Sequence, residues 1–142
     1  MLRVIAAVAA IAVGATVVHA QSAAIGARKD ALKAMGAASK APGGMMKGEV
    51  PFDIAPVKAA LKVFQDQAAK LVDLFPDDSK TGDTNALPAA FEKRADVQAR
   101  FVKLAAEAKA AEATITDEAS FKANWGKLLG NCGGCHKEYK KP

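Results

Sequence analysis

Apolar residues recur at intervals of three and four along four stretches of this chain, and each stretch reads as one face of a helix. The first runs from about Ser22, an N-cap type, to Lys40. Ile25, Arg28, Leu32, Met35 and Ser39 share its stripe. Pro42-Gly43-Gly44 should break or kink the chain beyond Lys40, with Met45 and Met46 resuming a turn before Lys47-Gly48. The second helix begins near Asp53 and tolerates Pro56 in its first turn. Its stripe is Val57, Leu61, Phe64, Ala68, Leu71 and Phe75. Pro76 to Asn85 forms the longest loop. The third helix spans about Pro88 to Ala113, with Phe91, Val97, Phe101, Leu104 and Ala108 apolar. Thr116 is expected to cap the fourth, which extends to about Lys140 and aligns Phe121, Trp125, Leu128, Cys132, Cys135 and Tyr139. No segment alternates with period two over a useful length. The expected fold is all-α, an antiparallel four-helix bundle.

The N-terminus has a different pattern. Arg3 precedes an uninterrupted run of apolar and small residues from Val4 to Val18, and Val18-His19-Ala20 resembles a small-x-small cleavage site. The run is shorter than the roughly 20 residues a spanning helix needs. Residues 1–20 are therefore expected to be a cleaved secretory signal, with the mature domain covering 21–142. The protein would then be exported and free of a membrane anchor after cleavage.

Composition supports helix, being rich in Ala, Lys and Leu and poor in β-branched residues. Aromatic content is 6%, so the core looks thin and alanine-based, and poorly packed without a bulky apolar guest. The formal net charge is +5, or +4 once Arg3 leaves with the signal. Basic and acidic residues interleave, with no Lys/Arg run longer than two, which speaks against nucleic-acid binding. The face is mildly basic and could guide an acidic redox partner. There is no nucleophile–base constellation and no phosphate-cradling glycine loop, so an enzyme is not expected.

The chemistry concentrates at Cys132-Gly133-Gly134-Cys135-His136, which holds both cysteines of the chain. Cys-x-x-Cys-His is the attachment signature of a c-type haem. Two thiols add across the porphyrin vinyl groups, and the histidine is placed to bind iron. A redox dithiol would normally sit in a βαβ context. Structural zinc would need further ligands, and the other histidine, His19, lies in the expected signal. Export agrees with haem. The heptad-like spacing points both cysteines into the bundle, with His136 one turn beyond Cys132 on the flank of the same face. Gly133 and Gly134 cost about 1 kcal/mol each against alanine, and room for the porphyrin edge would compensate.

Four segments carry a family resemblance: Arg28-Lys29-Asp30-Ala31-Leu32-Lys33-Ala34-Met35, Lys47-Gly48-Glu49-Val50-Pro51-Phe52-Asp53, Gly82-Asp83-Thr84-Asn85-Ala86-Leu87-Pro88, and Asn131 to Lys140. Together they resemble cytochrome c′, in which the haem motif lies on the last helix of a bundle. The resemblance implies one covalently attached haem c, held through Cys132 and Cys135, with His136 as the only iron ligand. It places Leu32 over the other face of the iron and Arg28 on a haem propionate. Lys29, Asp83 and Thr84 would also touch the haem. Arg28 also lies on the same stripe as Ile25 and Leu32, and an arginine on a core stripe needs an anionic partner. Phe52, Phe91 and Lys140 depart from the family's usual tyrosine, tryptophan and arginine.

The resemblance further implies a periplasmic bacterial protein that binds NO and CO and transfers electrons to unidentified redox partners. A homodimer through the first two helices would follow from the same family. Leu32 is the deciding residue, because relatives with methionine there are six-coordinate electron carriers. Met35, one turn along the stripe, is the alternative sixth ligand. Methionine at helical spacing is more often core packing.

Overall fold

The computed structural model describes residues 23–142. The expected signal segment and the Ser22 cap lie outside the described residues. Helix α1 covers residues 23–38, α2 Lys40–Lys47, α3 Ile54–Leu71, α4 Ala89–Glu92, α5 Arg94–Thr114 and α6 Glu118–Tyr139. A short 3₁₀ turn occupies Asp77–Ser79. Among the described residues there is no strand, only an isolated bridge between Ala86 and Lys140. The molecule is an antiparallel four-helix bundle in which α1 with α2, α3, α4 with α5, and α6 form the four bars.

Helix boundaries track the caps, with three differences from expectation. Pro42 does not end the first bar. The chain turns at Ser39, whose hydroxyl donates to the Met35 carbonyl at 2.8 Å, and α2 then continues with Pro42 buried. Pro42 falls in the first turn of α2, where a backbone N–H has no helical acceptor, so its missing donor costs little. Gly43 resumes the ladder onto the Ser39 carbonyl at 2.9 Å. Gly48 then stops α2 in the left-handed region, at φ 73°. The third bar is interrupted at Lys93. Phe91 and Phe101 both pack on Phe75, each with ring centroids 5.8 Å away. An unbroken helix would set those two residues about 15 Å apart along its axis. Finally, Asp117 caps α6 instead of Thr116. Its carboxylate accepts from Ser120 N at 2.8 Å, while Ser120 Oγ accepts from Asp117 N at 3.0 Å. That reciprocal pair satisfies two end donors at once, which Thr116 does not do. The Asp53 cap is as expected, accepting from Ala55 N at 2.9 Å.

The core is not alanine-based. Seven of the eight aromatic residues are buried, and only Phe52 is partly exposed. All but Tyr139 form two groups. Phe52, Phe64, Phe121 and Trp125 lie together, with Phe64 stacked on Trp125 at 5.7 Å. Phe75, Phe91 and Phe101 form the second group, and Arg28 lies over two of its rings. Composition undercounts such a core because a few large rings fill the volume of many small side chains.

Candidate functional site

Cys132, Cys135 and His136 lie on the last turns of α6. Both thiols are half-buried and are not bonded to each other. Cys135 packs against the core, and His136 is exposed on the flank. Burial pushes both thiols above their ordinary range. A redox dithiol needs the opposite, a thiol lowered enough to attack as thiolate. Among the described residues no three His, Cys, Asp or Glu side chains stand together as a metal-ligand group, so a zinc site finds no donor set there. A Cβ at Gly133 would meet nothing within 4 Å, and one at Gly134 would meet only Arg100 Nη1, at 3.9 Å. Two unbonded thiols one turn apart and an exposed imidazole on the flank of the same helix face fit a large planar group attached at the two sulfurs.

Helix α5 grips this segment at both ends. Past the motif, Arg100 donates from Nε to Asp96 at 2.7 Å and from Nη2 to Glu138 at 2.8 Å. Its guanidinium lies 5.2 Å from the centroid of the Tyr139 ring, and the Tyr139 hydroxyl donates to Asp96 at 2.5 Å. Before the motif, Asn131 donates to Glu107 at 2.6 Å and accepts from Lys103 at 2.9 Å. Asp96, Arg100, Lys103 and Glu107 form one stripe of α5, so a single helix face fixes the position of the Cys-x-x-Cys-His turns.

The hydrogen bond to the Asp96 carboxylate holds the Tyr139 hydroxyl in its neutral form, pushing its pKa up to about 12. The raised value means the stabilisation is complete below the ordinary tyrosine pKa, near 10. It is lost as pH rises from there through about 12. Tyr139 is the sole tyrosine, so difference absorption during an alkaline titration reads it directly. We expect tyrosinate near pH 12, and ionisation at an ordinary pH would show that the bond to Asp96 does not persist in solution.

Arg28 is only 3% exposed. Nη1 donates to the Leu74 carbonyl at 2.6 Å and to Ser79 Oγ at 2.9 Å. Nη2 donates to the Ser79 carbonyl at 3.1 Å and to Thr84 Oγ1 at 3.0 Å. Phe75 and Phe91 flank the guanidinium at 4.8 and 5.3 Å. The anionic partner that a buried arginine calls for is not among these contacts. Neutral oxygens and two ring faces hold it instead, and desolvation lowers its pKa without a compensating acid. Thr84 is thus brought to Arg28, as the resemblance places both at one site. Lys29 and Asp83 also meet, at 2.6 Å, in an exposed pair. Such surface pairs add little stability.

On α1 the sequence stripe needs one correction. Ile25, Arg28, Ala31 and Met35 are buried, whereas Leu32 stands 38% exposed on the flank. Met35, at 8%, belongs to the hydrophobic core cluster. Arg100, Asp96, Glu107 and Ser79 were not singled out by sequence reasoning. The i,i+4 charge pairs Asp96–Arg100 and Lys103–Glu107 were a readable signal for α5, but Ser79, inside a polar loop, gave none.

A family profile described as Cytochrome C′ matches residues 23–140. The chain belongs to the cytochrome c′ family. Over 140 residues it is 46% identical to a cytochrome c′ of Rhodopseudomonas palustris, covering 98% of this chain and 96% of the relative. It is 37% identical to a cytochrome c-556 of Agrobacterium fabrum over 114 residues, 80% of this chain and 77% of the relative. The solved structure of cytochrome c′ from Rhodopseudomonas palustris superposes with a TM-score of 0.81 at 50% identity. The match covers 84% of this chain and 96% of the other. Cytochrome c′ proteins are haem proteins, and the donor set on α6 suits that group.

Proposed function

We propose that this chain is an exported haem-c protein of the bacterial periplasm, binding small diatomic gases such as NO and CO and transferring electrons. Residues 1–20 would be its signal and 21–142 its single domain. Cys132 and Cys135 would hold the porphyrin through two thioether bonds, each thiol adding its S–H across a vinyl C=C so that no oxidant would be consumed. His136 is the iron ligand. The haem supplies an iron that can bind a gas or carry one electron.

The observation that carries this reading is the contrast on α1. Leu32 has an apolar side chain with no lone pair to offer, while the thioether one turn along α1, Met35, is packed in the core. Leu32 then acts as a steric gate that a ligand must displace, which favours small, strong binders. Arg28 carries a positive charge that no carboxylate neutralises, which suits a propionate contact. Lys29, Asp83 and Thr84 sit around the same corner.

A second reading is a low-spin electron carrier with Met35 as sixth ligand. It draws on the relative named cytochrome c-556. A homodimer through α1 and α3 is compatible with either. The absorption spectrum of the reduced holoprotein separates the two. A broad high-spin Soret band that sharpens and intensifies with CO is expected. Sharp low-spin bands indifferent to CO would establish the carrier instead.

A further inference from the structure

Helix α5 is not itself part of the Cys-x-x-Cys-His motif, yet it sends one guanidinium against it. Arg100 Nη1 lies 3.9 Å from the Cβ position at Gly134, the residue that precedes Cys135 in the motif. Its three anchors are Asp96, Glu138 and the Tyr139 ring. The side chain is only 31% exposed, so water screens its charge less than that of a free surface arginine. Its two carboxylates hold it so strongly in the charged form that its pKa rises further. The neighbouring cations differ. Lys137 and Lys140 are exposed, and Lys140 spends its amine on the Lys141 carbonyl at 3.3 Å.

Resting on the attachment of haem at Cys132 and Cys135, we propose that Arg100 is a positioning and charge-setting residue: clamped between Asp96 and Glu138, it fixes the attachment turn and raises the reduction potential of the iron. The sign comes from electrostatics. Reduction adds one electron to the haem, so a nearby cation favours the ferrous form and a nearby carboxylate the ferric form. Asp96, Arg100 and Glu138 together carry one net negative charge at neutral pH. Removing the guanidinium leaves two uncompensated carboxylates beside Cys135. Removing the Glu138 charge leaves a balanced pair. A purely structural clamp has no such sign.

The test is potentiometric titration of holoprotein, monitored by haem absorbance, with the covalent haem verified by mass in every sample. Arg100→Met should lower the potential, Arg100→Lys should recover much of the loss, and Glu138→Gln should raise it. Raising the ionic strength should shrink all three shifts. Glu138→Gln keeps Arg100 on Asp96 and Tyr139, so the sign test survives even if Arg100→Met does not fold. Potentials that stay put, or that move in the same direction in Arg100→Met and Glu138→Gln, would overturn the inference even if thermal stability changed. Wild-type protein lacking the haem mass would overturn the attachment itself, and the inference with it.

Discussion

Leu32→Met should convert a high-spin, CO-responsive protein into a low-spin one with little CO binding. Leucine and methionine have similar volumes, and such swaps usually cost under about 1.5 kcal/mol even in a core. Position 32 lies outside the buried core cluster, so the fold should scarcely register the change. The iron should register it fully, because a thioether sulfur can complete an axial His/Met pair. The reciprocal variant sharpens the result. Met35→Leu should leave the spectrum unaltered, since Met35 is 8% exposed and belongs to the core cluster. If Met35→Leu instead abolished a low-spin spectrum, the open-site assignment would fail and the sixth ligand would be known.

Arg28→Met should be strongly destabilising. The guanidinium makes four hydrogen bonds to the segment from Leu74 to Thr84. Methionine keeps the apolar stem between Phe75 and Phe91 but leaves those oxygens without their donor. Several of them are buried, and unsatisfied buried polar groups cost about 1–3 kcal/mol each. Partial relaxation and water entry bring the net loss to about 3–5 kcal/mol. That corresponds to a fall in Tm on the order of 10–20 °C. Urea unfolding should show a lower midpoint at unchanged slope. Arg28→Lys should recover only part, because one ammonium cannot reach acceptors spread around a planar fork. A loss below about 1 kcal/mol would mean that water replaces the arginine without penalty.

The parts of this architecture that depend on periodic burial were legible in the sequence. The stripe Val57, Leu61, Phe64, Ala68 and Leu71 is buried along α3 as spaced, and Phe121, Trp125 and Leu128 are buried along α6. The attachment motif was equally clear, because its chemistry is written in consecutive residues. The features that escaped were tertiary. Pro42 looked like a stop, but an offset of a few residues relative to the turn at Ser39 turned it into a first-turn residue. Ala31, a smaller neighbour of Leu32, fills the inner position of α1, which the stripe through Leu32 did not indicate. The protein oxygens around Arg28 were not foreseen. The loop that surrounds it with carbonyls and hydroxyls has no periodicity from which to foresee them. Arg100 went unnoticed for a related reason: its partner Glu138 is remote in sequence, and only helix packing joins them.

The segment from Ser79 to Leu87 is polar, mostly exposed and part of the longest connection in the bundle, which ordinarily marks a place where length can vary freely. Here the segment is held from two directions. Arg28 of α1 holds Ser79 and Thr84, while Leu87 N donates to the Tyr139 carbonyl and Lys141 N donates to the Asn85 carbonyl, each at 2.8 Å. An inserted residue would have to bulge outward between these anchors to preserve both sets of bonds. The helix that carries Leu32 and the helix that carries His136 are therefore tethered to one short stretch of chain. Their spacing is set by the contour of a loop as well as by the packing between them.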